Sequence, residues 1–175
     1  MIETARLVLR WPEPRDRAAL HAMWADPRVM ADLGPVKDAA ASDATLAKHD
    51  GYHGKGLGFW AVERRDTPGA IGFCGLKPGA ENTPIAGTLE IGWMLAADHW
   101  GQGYALEAAR ASLAYGWART DAARIVAITA ACNAASQGLM ARLGMVPVAD
   151  GAFEHPLFPP GDRLRATVTY AINRP

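Results

Sequence analysis

The stretch from Asp98 to Ala109, with the sequence DHWGQGYALEAA, restricts the fold of this chain more than any other. It joins TLEIGWMLA, an apolar run typical of a strand, to ALEAARASLAYGWART, which is typical of a helix. Gly101 and Gly103 stand between them, one residue apart. Glycine has no Cβ atom, so it allows unusual backbone angles and lets another molecule approach the chain closely. The stretch predicts a strand–turn–helix unit, and the bend indicates that something comes close to its backbone.

Length and composition limit the class of protein. The chain has 175 residues, of which 50% are hydrophobic, so we expect one domain over residues 1–175 with a substantial core. The formal net charge is zero, which gives no support for a nucleic-acid partner. No apolar run approaches the roughly 20 residues that cross a bilayer. Because the N-terminal MIETARLVLRWPEP also lacks the apolar segment of a signal peptide, we expect a cytoplasmic protein with no membrane partner.

The apolar pattern predicts an α/β (α+β) fold with the element order β-α-α-β-β-β-α-β-α-β-β. Helices are expected at about residues 15–25, 38–52, 102–119 and 133–144. Strands are expected at about residues 6–11, 58–65, 70–79, 88–96, 123–131, 146–154 and 164–173. Short turns join the three strands in the middle of this order, which indicates an antiparallel meander, while a strand–helix–strand unit at about 88–131 should be parallel. The expected sheet is therefore mixed, with about seven strands and about four helices.

The glycine turn is a candidate phosphate site. A helix N-terminus presents unpaired N–H groups and a partial positive charge, and glycines let an anion reach them. The alternative is that the glycines serve only the geometry of the turn. A P-loop is excluded because Tyr104 and Ala105, not Lys and Ser or Thr, follow Gly103. A dinucleotide fingerprint is disfavoured by Leu106 at its third glycine position and by the lack of an acidic residue after the next strand.

Cysteine and histidine usage gives no indication of a metal site. Cys74 and Cys132 are the only cysteines, and neither belongs to a CxxC pair, so we expect no zinc. His49 and His53 have no further ligand at a metal-site spacing. Both cysteines lie in apolar, strand-like surroundings, which favours buried and reduced thiols.

Two motifs together resemble the GCN5-related N-acetyltransferase (GNAT) superfamily, and most closely its branch of ribosomal-protein N-terminal acetyltransferases. The family pattern [R/Q]xxGxG/A at the start of the third helix corresponds to WGQGYA here, with Trp100 in place of Arg or Gln. The second pattern, Asn-xx-Ser/Ala-xx-Leu-Tyr-x-Lys-x-Gly-Phe, corresponds to Asn133, Ser136, Leu139, Met140, Arg142, Gly144 and Met145. The order of elements along the whole chain is also similar to that of the family, so the resemblance implies a GNAT-like fold.

The resemblance implies acetyl-CoA as cosubstrate and assigns residues to it. The pyrophosphate would lie on the turn formed by Trp100, Gly101, Gln102, Gly103, Tyr104 and Ala105. The pantetheine arm would pair with the backbone of Met94 and Leu95 like an added strand, which requires this strand to separate from its neighbour. Family members use a bulge in this strand for that purpose. Asn133 and Ser136 would contact the pantetheine or the acetyl end, although Asn133 is also a good helix cap.

Acetyl transfer to an amine needs a base, because an ammonium group has no lone pair with which to attack. Glu90 is the candidate, since it stands in an otherwise apolar strand just before the pantetheine segment. The alternative for Glu90 is an outward-facing residue on a half-exposed strand. The general acid of the family is a tyrosine, but Met140 occupies that position and cannot donate a proton. Ser136 is therefore the candidate donor to the departing sulfur, with a water molecule as the alternative.

These observations favour an N-acetyltransferase that acetylates a primary amine through a tetrahedral intermediate. Met140 keeps a second hypothesis open, a non-catalytic acyl-CoA-binding or sensing protein, and a nucleotide-cofactor enzyme is the third. The acceptor is left undetermined among a protein N-terminus, an amino acid, an antibiotic amine and a polyamine, the last disfavoured by the few acidic residues near 30–55 and 152–163. Dimers are common in the family, so a homodimer is also left open.

Overall fold

The computed structural model describes all 175 residues and arranges them around one nine-stranded sheet. The strands are β1 (Ile2–Glu3), β2 (Leu7–Arg10), β3 (Gly58–Arg64), β4 (Thr67–Pro78), β5 (Leu89–Leu95), β6 (Arg124–Ala130), β7 (Val146–Pro147), β8 (Phe153–Glu154) and β9 (Ala166–Asn173). The helices are α1 (Arg17–Ala25), α2 (Pro27–Met30), α3 (Ala39–Asp50), α4 (Tyr104–Arg119) and α5 (Ala134–Arg142).

The sheet is mixed, as predicted. Its order is β1-β2-β3-β4-β5-β6-β9-β7, with β8 paired to β9. Every pairing is antiparallel except that of β5 with β6, which is parallel because α4 carries the chain back to the starting edge. The antiparallel meander and the parallel unit after it are therefore both confirmed.

Alternating side chains on the strands build a hydrophobic layer on each face of the sheet. In β3, Phe59 and Ala61 pack against residues of α1 and α2, whereas Trp60 and Val62 join the cluster that includes α4 and α5. This alternation follows from the two-residue period of a strand. The sheet is thus covered by α1 and α2 on one face and by α4 and α5 on the other.

The structure adds short elements that the sequence pattern did not predict. Pro27 ends α1 but also opens the four-residue α2, because proline fits the first turn of a helix and Asp26 accepts a hydrogen bond from the Arg28 amide. The strand expected at about 146–154 is divided into β7 and β8 around Asp150, whose φ of 55° interrupts extended backbone. β1 is a further two-residue strand.

An opening between β5 and β6 is the part of the fold that shapes the candidate site. The two strands pair only at Leu89 with Ile125 and at Glu90 with Val126, after which they separate. The bulge that the family resemblance implies is not found in β5, whose register with β4 is continuous from Gly72↔Leu95 to Pro78↔Leu89. β6 instead pairs along its whole length with β9, so the opening lies on the β6 side.

Candidate active site

The glycine turn at the open end of β5 has the backbone conformation that its two glycines indicate. Gly101 and Gly103 have φ values of +73° and +81°, in the left-handed region that favours glycine. α4 begins directly after them at Tyr104, close to its predicted start. The two glycines therefore serve the geometry of the turn.

Six successive backbone amides at this turn have no acceptor within the protein. The N–H groups of residues 101–106 donate no hydrogen bond, and the first bonded amide is that of Glu107, 3.1 Å from the Gly103 carbonyl oxygen. They lie at the N-terminus of the 16-residue α4, where the helix dipole adds a partial positive charge. The turn thus offers unpaired donors to an anion.

A groove with a volume of about 390 Å³ runs along this turn, and we call it the helix-tip groove. Of the residues predicted to bind the cofactor, all but one line it: Met94, Leu95, Trp100, Gly101, Gly103, Tyr104, Ala105, Asn133 and Ser136. Gln102 is the exception, because its side chain turns back to donate to the Asp98 carbonyl oxygen at 3.3 Å. Arg28 and Asp32 also line the groove. Neither was predicted, because no sequence pattern indicated the short helix α2 or the turn that follows it.

The backbone of β5 presents alternate residues to the opening. The Ala96 amide donates to the Ile71 carbonyl oxygen in β4 at 3.0 Å. Because backbone groups alternate sides along a strand, Met94 also faces β4, whereas Trp93 and Leu95 face the opening. This corrects the pairing expected for the Met94 backbone, although its side chain does line the groove.

Trp100 fixes the turn to β5. Its indole Nε1 donates to the Leu95 carbonyl oxygen at 2.9 Å, while the ring stays 50% exposed. The acceptor on Leu95 is therefore already used, which leaves the Leu95 amide and both backbone groups of Trp93 directed at the opening.

A second space, the inner cavity, adjoins the groove and has a volume of about 330 Å³. The groove and the cavity share Leu33, Trp93, Met94 and Ser136, so the two meet beside β5. The other lining side chains include three aromatic residues and four ionisable ones: Trp24, Phe59, Phe73, Lys37, His49, Lys77 and Glu90.

Glu90 faces this inner cavity and not the solvent. Its side chain is 9% exposed and forms an ion pair with Lys77, its direct neighbour across β4 and β5. The alternative of an outward-facing, half-exposed residue is therefore wrong. A buried carboxylate with one charged partner keeps lone pairs available for a further hydrogen bond.

Asn133 and Ser136 lie at the start of α5, where the groove and the cavity meet. The Asn133 Oδ1 atom accepts from the Ser136 amide at 3.0 Å and so caps the helix. The Ser136 hydroxyl makes no hydrogen bond within the protein and lines both spaces. Met140, one turn further along α5, is 1% exposed and belongs to the hydrophobic core. No tyrosine is among the residues lining the inner cavity.

His49 is an ionisable group of the inner cavity that sequence reasoning did not assign to the site. Its ring packs against Phe59 and Phe73, whose centroids are 4.3 Å and 4.9 Å away. Burial, and then the nearby positive charge of Lys77, lower the pKa of His49 to about 3. It is therefore neutral at ordinary pH, and its Nδ1 atom has no hydrogen-bond partner. The place of His49 in the cavity depends on how α3 packs over β3, and the sequence alone does not show this packing.

The remaining sequence-based expectations have mixed outcomes. Cys74 is buried as expected, but Cys132 is exposed at the end of β6, so the expectation of two buried thiols is wrong for Cys132. Nowhere in the chain do three His, Cys, Asp or Glu side chains gather as metal ligands would. None of the helices has the length and apolar character that a bilayer span requires.

Comparison with known sequences identifies relatives over most of the chain. Residues 6–146 match the family model described as the acetyltransferase (GNAT) domain. The Bacillus subtilis protein YkkB is 35% identical over 145 residues, which cover 81% of this chain and 83% of that protein. YoaA of the same organism, described as an uncharacterized N-acetyltransferase, is 30% identical over 82% of this chain and 81% of its own length.

Solved structures share the fold. A GNAT-family acetyltransferase from Bacillus anthracis superposes with a TM-score of 0.80 at 26% identity, covering 99% of this chain and 98% of that one. A Vibrio cholerae spermidine N-acetyltransferase, solved with CoA and spermine, has a TM-score of 0.75 at 21% identity, covering 98% and 97%. A ribosomal-protein-alanine acetyltransferase from Vibrio fischeri also has a TM-score of 0.75, at 16% identity, covering 98% and 95%. The likeness of fold therefore does not single out the ribosomal-protein branch.

Proposed function

We propose a site and a mechanism from the premise that this chain belongs to the GNAT acetyltransferase family and is an acetyl-CoA-dependent N-acetyltransferase. The observation that carries the proposal is the junction of two spaces beside β5. A groove lined by five of the six residues with unpaired amides meets a cavity that holds a buried carboxylate. Such a junction suits a long anionic donor on one side and a small amine on the other.

The helix-tip groove takes the CoA moiety. The amides of residues 101–106 bind the pyrophosphate, because they are unpaired and lie at the positive end of α4. The pantetheine arm pairs with the backbone of Trp93 and with the Leu95 amide along the open edge of β5. Asn133 retains a free side-chain NH₂ beside this path, since only its oxygen is used in capping α5.

The inner cavity takes the acceptor amine. Glu90 accepts a proton from the ammonium group, directly or through a water molecule, and the free amine then attacks the thioester carbonyl carbon. The new C–N bond forms first, and collapse of the tetrahedral intermediate breaks the C–S bond. The nitrogen of the intermediate loses its extra proton to solvent. The departing thiolate, to which the Ser136 hydroxyl donates a hydrogen bond, takes up a proton from solvent and leaves as free CoA, and Glu90 releases the proton that it accepted. The products are the acetylated amine and the thiol.

We further propose that the protein belongs to the ribosomal-protein branch, is cytoplasmic, forms one domain over residues 1–175 and assembles as a homodimer. Two observations support a relation to that branch: the turn Trp100-Gly101-Gln102-Gly103 and the likeness of fold to one of the branch's named members. Among the acceptors, a spermidine-like polyamine receives support only from an equal likeness of fold.

A second candidate function is acyl-CoA binding without turnover, favoured by the buried Met140 at the family's tyrosine position. Release of free thiol from acetyl-CoA separates the two. A transferase releases thiol only with a suitable amine, and one acetylated amine forms for each thiol. A binding protein is indicated if acetyl-CoA binds but a broad set of amines, peptides with free N-termini included, yields no acetylated product by mass spectrometry.

A further inference from the structure

The inner cavity contains one positive charge that no acidic group of the protein balances. Four ionisable side chains line it, and two of them, Glu90 and Lys77, form an ion pair. His49 is neutral because burial lowers its pKa to about 3. The fourth is Lys37, which has no carboxylate within salt-bridge distance. The acceptor side of the site is therefore cationic overall.

Lys37 is held in place by the protein around it. Its backbone amide donates to the Trp24 carbonyl oxygen at 2.9 Å, and its Nζ atom donates to Thr45 Oγ1 at 2.6 Å. The ammonium also lies 5.4 Å from the centroid of the Trp24 ring. An ammonium group has three donors, and only one of them has a partner here. Two donors therefore remain for a ligand.

The environment of Lys37 favours an anionic ligand. Burial, and then the like charge of Lys48, lower the pKa of Lys37. A partly desolvated ammonium gains more from a negative partner than an exposed one, because less water competes for it. The cavity walls around it are aromatic, with Trp24, Phe59 and Phe73 contributing large apolar surfaces.

We propose that the acceptor is a small amino carboxylate with an apolar, preferably aromatic, body, and that Lys37 binds its carboxylate. This inference rests on the proposed function and narrows it. The aromatic walls hold the body of the acceptor, Lys37 holds the carboxylate, and the amine faces Glu90 and the groove. A polyamine would bring a second cation against Lys37, and a peptide N-terminus carries an amide in place of the carboxylate.

The experiment compares matched acceptors that differ only in the carboxylate. Phenylalanine is compared with phenethylamine and leucine with isopentylamine, with spermidine and a free-N-terminus peptide as further arms. Lys37→Met removes the charge, Lys37→Arg keeps it, and Lys48→Met is the control, since Lys48 is an exposed cation of α3. A rise in melting temperature with acetyl-CoA, measured for each variant, checks that it is folded and binds the cosubstrate.

We expect the wild-type protein to acetylate the amino acids in preference to their decarboxylated counterparts. Lys37→Met should raise KM for the amino acids by about ten- to a hundredfold with little change in kcat, as loss of a hydrogen bond to a charged group predicts. It should leave KM for the decarboxylated amines within about threefold, while Lys37→Arg and Lys48→Met keep the wild-type preference. A merely structural role of Lys37 would affect both kinds of acceptor equally.

Three results overturn the inference. The first is preference of the wild-type protein for the decarboxylated amines, spermidine or the peptide. The second is an equal effect of Lys37→Met on both members of a pair. The third is stabilisation by acetyl-CoA with no acetylation of any amino carboxylate. None of these three results contradicts the proposed function, because each leaves the acetylation of another amine possible. If acetyl-CoA neither binds nor loses its acetyl group to any amine, the proposed function itself fails.

Discussion

At the scale of single residues, burial decides what the ionisable groups of the inner cavity can do. Glu90 and His49 both face this space, but their surroundings differ. Glu90 forms an ion pair with Lys77, whereas His49 packs against two phenylalanine rings and is buried, which lowers its pKa to about 3. Glu90 is therefore the group suited to accept a proton, and His49 is a neutral part of the wall.

Glu90→Gln tests the base. We expect kcat/KM to fall by about 10²–10⁴, the usual contribution of a positioned base. The deficit should grow as the pH is lowered, because the variant depends on free amine, whose fraction falls about tenfold per pH unit below the amine pKa. Initial rates of thiol release over a range of pH measure this.

The ion pair requires its own control, because Glu90→Gln also leaves Lys77 without a partner. The double variant Glu90→Gln/Lys77→Met removes both charges and should recover melting temperature lost in the single variant, but not the rate. Wild-type rates for Glu90→Gln at every pH would remove Glu90 from the mechanism.

The buried His49 makes stability depend on pH. Its pKa is lowered from 6.5 to about 3 in the folded protein, so between these values the unfolded chain binds the additional proton. The free energy of unfolding should therefore fall as the pH drops below about 6.5, by up to about 1.4 kcal/mol per pH unit from this group alone. His49→Phe, which keeps an aromatic ring in the same place, should show a shallower loss.

Chemical denaturation between about pH 6.5 and 4.5 is the suitable measurement, since carboxylates with ordinary or lowered pKa values titrate mostly below this range. Identical slopes for His49→Phe and the wild-type protein would show that His49 is protonated in the folded state.

At the scale of elements, the turn before α4 is where the sequence was most informative. Paired glycines act locally, so the start of the helix and the left-handed backbone could be read from a few neighbouring residues. α2 could not, because four residues carry too weak a pattern. The prediction of a bulge in β5 was also wrong. The opening depends on how β6 pairs with β9, and no local sequence pattern reveals that pairing.

Gly103→Asp tests the function of this turn. An aspartate at Gly103 would have its Cβ atom 3.4 Å from Nη2 of Arg6 and would add a negative charge beside the N-terminus of α4. Because this charge repels the pyrophosphate, we expect affinity for acetyl-CoA to fall about a hundredfold or more. Gly87→Asp is a matched control, because Gly87 has a similar φ of +77°, compared with +81° at Gly103, and also lies in a turn. Isothermal titration with acetyl-CoA measures both, and unchanged affinity for Gly103→Asp would refute the proposed pyrophosphate site.

At the scale of the whole molecule, the site exists only where distant parts of the chain meet. Most of the groove residues were predicted because they belong to two motifs that can be recognised in the sequence. The inner cavity joins Lys37, from the segment before α3, to Glu90 in β5 and Met140 in α5. Such convergence depends on tertiary packing, so neither Lys37 nor His49 could be assigned from the sequence.

In the proposed site acetyl-CoA would contact several elements of the folded chain, so we expect it to stabilise the whole molecule. At a ligand concentration about 100 times Kd the expected gain is about 2.7 kcal/mol, or roughly 5–11 °C in melting temperature for a chain of this size. Differential scanning fluorimetry measures this, with NAD and ATP as controls. A shift with NAD or ATP but none with acetyl-CoA would favour a nucleotide-cofactor enzyme.

The separation of β5 from β6 gives the sheet a free border in its interior, away from its outer margins. Exposed sheet borders invite strands of other proteins and so promote aggregation. This one lies in a groove that is lined by residues of α5 and of the turn before α4, and not at an outer margin of the sheet. A border recessed in a groove would let the protein keep unpaired backbone groups available for a ligand with less hazard of self-association.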